Sequence, residues 1–511
     1  MSSITAAQAY EHLKEAFSDM AKLGHAKGIL SKDEEVFMPT GSGDARADQL
    51  QTIDKILHEK IADPRVKDWL DIAESSTNTF SDGDRRNLQL MRHDWIHNAS
   101  LPKDLAAEVS RVETEGGQLH TENYKSGDWN TMKDIYARAF KVAREVGQAK
   151  IAMLGVSSPY EALLDQYSPG MRISMVEKTF GVLDKVLPDM IRDAVERQNK
   201  ADKQPIPFKG PFSEEKQMIL NKMAAATSGF DFTRGRLDAI KGHPSCYGAP
   251  NDVRITTRCY EDDFTSSHYS STHECGHGSY EQNLPKEWEY QPAGSAFGMS
   301  VHESQSRIIE VVAGLSTEYI EGWLSKKAAE VFGYQDAFEK DNLRRLLQRV
   351  QPSCIRVDAD EMTYPMHIIV RYELERAIIE GKLDVTADLP DAFKDGLQKR
   401  LGVRPQNNAE GCMQDVHWPT GSVGYFPDYT FGDMIAVQGF KKAVATYPDI
   451  AQNLSKGDFT LLNKWRKENI HSKGSLLDMD ELILQATGEP LNPTHYINHL
   501  SERYLGKPFK P

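Results

Sequence analysis

The run His273-Glu274-Cys275-Gly276-His277 sets two imidazoles four residues apart, with a carboxylate directly after the first. On a helix, positions i and i+4 share one face a turn apart, so both rings reach a single metal ion. Glu274 sits beside them and faces the coordination position left open for water. The constraint on folding is strong: this stretch has to be helical, and its polar face has to look into a cavity. Its surroundings agree. Asp262, Asp263, Ser266, Ser267, His268, Ser270, Ser271 and Thr272 are polar, whereas Gly276 and Gly278 are poor helix residues whose place here implies a close approach to the backbone. The bland alternative is two histidines on the wet face of an ordinary helix. The pattern's chemical meaning is metal-dependent peptide hydrolysis.

The rest of the chain is a large soluble globular protein. Its 511 residues allow two average domains or one large helical body. With 39% hydrophobic and 27% charged residues there is ample core, and a formal charge of −14 argues against nucleic acid or an anionic membrane as partner. Five cysteines (Cys246, Cys259, Cys275, Cys354, Cys412), odd in number and without C-x-x-C spacing, read as reduced thiols. No apolar run approaches membrane-spanning length, and the N-terminus lacks a basic-then-apolar leader, so a cytoplasmic location is expected.

Apolar positions at helical spacing (Ala7, Tyr10, Leu13, Phe17, Met20, Leu23) predict a helix over residues 4–30, broken by Met38–Gly43. Helix follows helix to about residue 200, including 85–97, 104–114, 129–154 and 172–198. Ala201–Gly210 is the most linker-like piece. The period then changes: Asp252–Arg258 alternates, with Val253 and Ile255 on one side and Asp252 and Arg254 on the other. That predicts a short strand beside the metal helix, an edge with which a peptide could pair. A further helix is expected over 298–320, others over 368–381 and 484–505.

Two histidines need a third protein ligand if one position is to stay open, and a carboxylate is usual. Glu303 follows His277 by enough residues for a loop and a returning helix, but Glu281, Glu287, Glu289 and Glu310 are also near in sequence. Further on, the clusters Cys354–Glu361, Tyr364–His367, Gly411–Trp418 and Gly424–Tyr429 are polar and aromatic, unlike plain core.

Together these stretches resemble the thermostable carboxypeptidase Taq family of metallocarboxypeptidases. His243-Pro244 resembles the start of its HPF motif, Asp252–Thr256 its DxRxT, and His273–His277 its HExxH. His302–Gln305 resembles HES(Q), Ile355–Asp360 IRxxAD, and Gly411–Trp418 GxxQDxHW. Ser245 stands where the family usually has Phe, a change expected to alter a pocket wall. Lys32-Asp33 stands where Trp-Asp is common, a change expected to matter little to the chemistry.

The resemblance implies a mainly α fold, similar to that of neurolysin: one catalytic domain over residues 1–511, with a deep groove and a small sheet beside the metal helix. It implies a homodimer, peptide substrates with a free C-terminus, and one divalent ion per chain, Zn²⁺ or Co²⁺, held by His273, His277 and Glu303. Glu274 is then the general base. His417 and Tyr425 are the candidate oxyanion donors. Arg356, assisted by Gln414, is the first candidate to hold the substrate carboxylate, and Arg254 the second. Asp358 and Asp252 are the alternative, structural partners of these arginines. The rival readings are a related endopeptidase or dipeptidyl carboxypeptidase, and a non-catalytic peptide-binding protein.

Overall fold

The computed structural model describes residues 4–510. Helices α1 (Ala6–Val36), α2 (Gly43–Ile61), α3 (Pro64–Glu74) and α4 (Asp82–Ala99) open the chain. The first starts on a capping box, Thr5 with Gln8, and runs one and a half turns past the expected end. It packs with α3 and α4 around Tyr10, Leu13, Phe17, Leu70 and Met91, a small core of its own. The main core begins with α5 (Lys103–Asn123), α6 (Trp129–Leu154), α7 (Pro159–Tyr167), α8 (Ile173–Asn199) and α9 (Glu214–Thr227), and extends through the C-terminal helices.

Three short strands follow: β1 (Gly235–Ala239), β2 (Cys246–Ala249) and β3 (Asp252–Thr257). The sheet order is β1-β3-β2, with β1 parallel and β2 antiparallel to β3. Val253 and Ile255 are fully buried between the sheet and the helix that carries the histidines. The alternating strand expected at an edge is therefore the central one. It is flanked on both sides because its apolar face is needed for packing, and the edge falls to the less apolar β2.

Helices α10 (Phe264–Glu281) and α11 (Met299–Arg307) build the centre of the molecule. The continuous helix expected over 298–320 is interrupted: after α11 the turns widen over Ile308–Ala313, and Gly314 to Ser316 breaks the run. The carbonyls loosened there are satisfied from outside, since Arg503 donates to Val311 O at 2.9 Å and to Val312 O at 2.7 Å. The expected tail helix is likewise two pieces, Met479–Thr487 and Pro493–Leu500, separated by left-handed Gly488 and Pro490. Among the described residues no helix is long and apolar enough to cross a membrane.

The N-terminal core is joined to the body by a buried polar hub. Asp165 on α7 receives His93 Nε2 at 2.8 Å and His97 Nε2 at 3.4 Å from α4, with Gly170 N at 3.0 Å and Arg172 Nη1 at 2.9 Å. Lys150 Nζ stands 3.2 Å from His97 Nδ1. Burial opposes the charge on His93, but its bonds to Asp165 and Asp94 outweigh this and push it up to about 9. A histidine raised on folding contributes stability that is complete below its ordinary value near 6.5 and is lost as pH rises through 9. His93→Ala should therefore cost about 1.5–3 kcal/mol at pH 6. The gap in melting temperature from the unsubstituted protein should narrow as pH rises through 9.

Candidate metal centre and groove

Helix α10 begins where the Asp263 side chain accepts from Thr265 N at 2.8 Å, and its middle two turns carry His273, Glu274 and His277. Helix α11 crosses it and brings Glu303, which is buried, against the same face. His273 Nε2 and His277 Nε2 lie 3.2 Å apart, and Glu303 Oε2 is 3.6 Å from each. In a tetrahedral site with bonds of 2.0–2.2 Å, donor atoms stand roughly 3.3–3.6 Å apart. Two imidazoles and a carboxylate at these spacings fit a divalent ion with one position open. A second His/His/carboxylate grouping, the Asp165 hub, gathers its donor atoms within 4.8 Å of one another, with His93 Nε2 and Asp165 Oδ2 already in hydrogen-bond contact at 2.8 Å. There Lys150 and Arg172 already supply the positive charge that an ion would bring.

The far nitrogens of both ligand rings are tied down. His273 Nδ1 donates to Glu310 Oε2 at 2.9 Å, and Glu310 in turn accepts from Arg307 Nη1 at 2.8 Å. His277 Nδ1 meets His302 Nδ1, and His302 Nε2 donates to Glu281 Oε1 at 2.9 Å. Each bond leaves Nε2 as the lone-pair nitrogen facing the centre. Of the five glutamates open at the sequence level, Glu303 thus reaches the donor set, while Glu310 and Glu281 support it from behind. Glu287 and Glu289 stand apart. Glu274 is buried beside the centre. Burial is the main cause that raises its carboxyl to about 7, with His273 and Lys32 pulling down and Glu303 pushing up.

The two glycines explain the crossing. A Cβ on Gly276 would run into the backbone at Gln305 and Ser306 of α11, and one on Gly278 would stand 2.7 Å from the Phe230 ring. The close approach inferred from sequence is thus a helix contact and an aromatic contact. Arg466, fully buried, clamps the crossing by donating from Nη2 to Gly276 O and Gln305 O, both at 3.1 Å. From the other side Gly432 of the helix Pro427–Thr446 presses on Glu303, where a Cβ would lie 2.7 Å from that of the glutamate.

A cluster of aromatic and cationic groups gathers around Arg356, whose ring neighbour Tyr364 also lies under Arg307. Arg356 is buried, with Nε on Asp415 Oδ1 at 2.9 Å and Nη1 on the Tyr364 hydroxyl at 2.7 Å. Its partner is Asp415, not the adjacent Asp358. Asp415 also takes Arg371 Nε at 2.6 Å, so one carboxylate faces two guanidiniums and a net positive charge remains. Gln414 is fully committed: its oxygen accepts from Arg356 N at 2.7 Å and its amide donates to Cys354 O, Glu410 O and Gly411 O. Arg254 forks onto Asp252, with both bonds at 3.0 Å. His417 and Tyr425 pack together at 5.6 Å between ring centres, with Tyr429 at 5.1 Å from Tyr425. Burial, with the Arg356 guanidinium behind it, lowers His417 to about 3, which keeps the ring neutral.

A family model described as Carboxypeptidase Taq (M32) metallopeptidase matches residues 12–504. The chain belongs to that family. Thermostable carboxypeptidase 1 of Thermus thermophilus is 32% identical over 511 residues, covering 98% of this chain and 99% of that protein. Carboxypeptidase 1 of Bacillus subtilis is 30% identical over 497 residues, covering 96% and 97%. Among solved structures, metallocarboxypeptidase 1 of Trypanosoma cruzi superposes with a TM-score of 0.94 at 34% identity, covering 97% and 99%. The protein is a metallocarboxypeptidase.

In this metallocarboxypeptidase the two departures from the family pattern touch each other. Lys32 on α1, buried, donates to Ser245 Oγ just before β2 and to Glu35 Oε2 at 2.6 Å, and lies over the Tyr247 ring at 5.4 Å. The sequence alone made Lys32 remote from the chemistry; the fold seats it within electrostatic reach of Glu274. What the sequence did not reveal are the supports: His302 with Glu281, Arg307 with Glu310, Asp415, Tyr364 and Tyr429. His302 and Arg307 lie on the helix of Glu303, and Asp415, Tyr364 and Tyr429 lie in the polar and aromatic clusters that stand out from plain core, but their pairings leave no local mark. Gly276→Ala should spread α10 from α11, separate His277 from Glu303 and destabilise the fold by about 1–3 kcal/mol. Metal content after dialysis and the melting temperature should fall together.

Proposed function

We propose that His273, His277 and Glu303 hold one divalent ion, that Glu274 is the general base, and that Arg356 receives the substrate's C-terminal carboxylate. The observation that carries this reading is the convergence of three donor atoms at tetrahedral spacing beside a buried carboxylate. When bound, such an ion supplies Lewis acidity, lowering the pKa of a water towards 7 and polarising the scissile carbonyl. Glu274 takes the proton of the attacking water and passes it to the leaving amine. Neutral His417 and Tyr425 donate to the oxygen on which charge develops. The donor set suits Zn²⁺ and leaves Co²⁺ in play.

At the closed end, Arg356 holds the carboxylate while Tyr364, Phe426 and Tyr429 surround its guanidinium at 5.2–5.9 Å. The second arginine on Asp415 keeps Arg356 from being neutralised. Gln414 acts by holding the backbone of Arg356, and Arg254 by bracing β3 through Asp252. We assign the whole chain to one catalytic unit that trims single residues from peptides, working as a homodimer. The five free cysteines fit a reducing cytoplasm.

The test is a short peptide supplied as free acid and as C-terminal amide, with metal-loaded protein and Glu274→Gln. The free acid alone should lose residues one at a time. Glu274→Gln should retain the metal and lower kcat by about 10²- to 10⁴-fold. Cleavage of both peptides at internal bonds would replace this reading with an endopeptidase. In the same assay Arg356→Gln should raise KM for the free acid by about tenfold or more, since a charge-assisted pair is removed.

A further inference from the structure

A cavity of about 310 Å³ opens one helical turn beyond His277, lined by His25 of α1, Gly248 of β2, Glu281, Glu289, Tyr290 and His302. Its size lies within the range of small-ligand sites. The cavity and Arg356 are reached from opposite ends of the histidine pair. Along α10, His273 leads through Glu310 and Arg307 to Tyr364, over whose ring Arg307 lies at 5.5 Å, and so to Arg356. In the opposite direction His277 leads through His302 to Glu281 and the cavity. The edge strand gives the same order. Strand β2 runs from Cys246, whose register partner is Ile255, to Ala249, and its far end, at Gly248, lines the cavity. A peptide paired antiparallel with β2, carboxylate at Arg356, therefore points its N-terminal part into this cavity. From His277 to Glu281 is about 6 Å along the helix, roughly two residues of extended peptide.

We propose that this cavity is the subsite for a positively charged group on the N-terminal side of the scissile bond. The group is the α-ammonium of a short peptide or a Lys or Arg side chain about two residues before the cleaved bond. The inference rests on the carboxypeptidase reading above. Its charge comes from Glu281 and Glu289. The first accepts from His302 and the second from the Asn251 amide at 3.3 Å, both with lone pairs to spare. Of the nearby cations, Arg234 is committed to Asp231 Oδ2 and Gln282 O, each at 2.8 Å, Lys22 lies over the Tyr290 ring at 5.2 Å, and Lys286 is an exposed residue of the lining. His25, packed on Tyr290 at 5.8 Å, is lowered by burial and stays neutral. Tyr290 holds φ 63°, a left-handed backbone rare outside glycine, in the loop that brings Glu289 into the same lining as Glu281.

The experiment compares tripeptides that share a C-terminal residue and carry a free or acetylated N-terminus. It also compares acetylated hexapeptides with Lys or Gln two residues before the scissile bond. Metal-loaded protein should show about three- to tenfold lower KM for one or both charged members, with similar kcat. That ratio should collapse at high salt and in Glu289→Gln. A difference confined to the tripeptides identifies the peptide terminus as the ligand, and one confined to the hexapeptides the side chain. Equal KM within both pairs would overturn the inference while leaving the trimming activity in place, as would a ratio that survives both salt and the substitution. If Glu289→Gln does not fold, the salt dependence of the unsubstituted protein decides. Release of residues from none of the four peptides would overturn the carboxypeptidase reading, and this inference with it.

Discussion

The contact between α10 and α11 at Gly276 sets everything around the centre. Two helices approach so closely that no side chain fits between them, and a buried guanidinium on Arg466 stitches their carbonyls together. Histidines come from one helix and Glu303 from the other, so the spacing of the donor atoms depends on the crossing. Close-packed interiors do not deform continuously. A shift of a few tenths of an ångström at the crossing would be handed directly to a site whose geometry tolerates little.

Around that crossing, the supporting bonds form two arms of different chemistry. On the His273 side the chain is carboxylate, guanidinium, carboxylate: Glu310, Arg307 and Asp433, the last accepting from Arg307 Nε at 2.5 Å. On the His277 side it is imidazole to imidazole to carboxylate. The first arm is charged throughout and leads into the core; the second ends at solvent in a cavity. The two ligand rings are thus held in the same tautomer by supports of unequal charge.

How much of this was legible in the sequence depended on the range of the interaction. Local patterns carried the helices: Trp129–Leu154 begins and ends where its spacing predicts, and the H-E-x-x-H turn fixes its own face. The alternation of Asp252–Thr257 gave a strand correctly but not its neighbours, because strand order is decided by what covers each edge. The break inside 298–320 was hidden, since Gly314 looks tolerable in a helix and the loosened carbonyls find a distant partner in Arg503. The break inside 484–505, by contrast, is marked in the sequence by Pro490 and Pro493. Pairings across long separations, Arg356 with Asp415 or Lys32 with Ser245, leave no trace in a single chain. For that reason Asp358 stands as the alternative partner of Arg356 at the sequence level, and Lys32 reads as remote from the chemistry. Arg254 and Asp252 are the converse: two residues apart, and paired as their spacing allows.

The carboxylate shared by two arginines has a consequence for turnover. Every cycle leaves behind a free amino acid that carries the carboxylate recognised at the closed end. With Asp415 balancing only one of Arg356 and Arg371, that end keeps its unit of positive charge after the bond is cut. The product thus retains the handle by which the substrate was seized, while the shortened peptide has gained a new carboxylate and lost its own grip. With Arg356 in its proposed role, the shortened chain slides forward only once the amino acid has vacated that arginine.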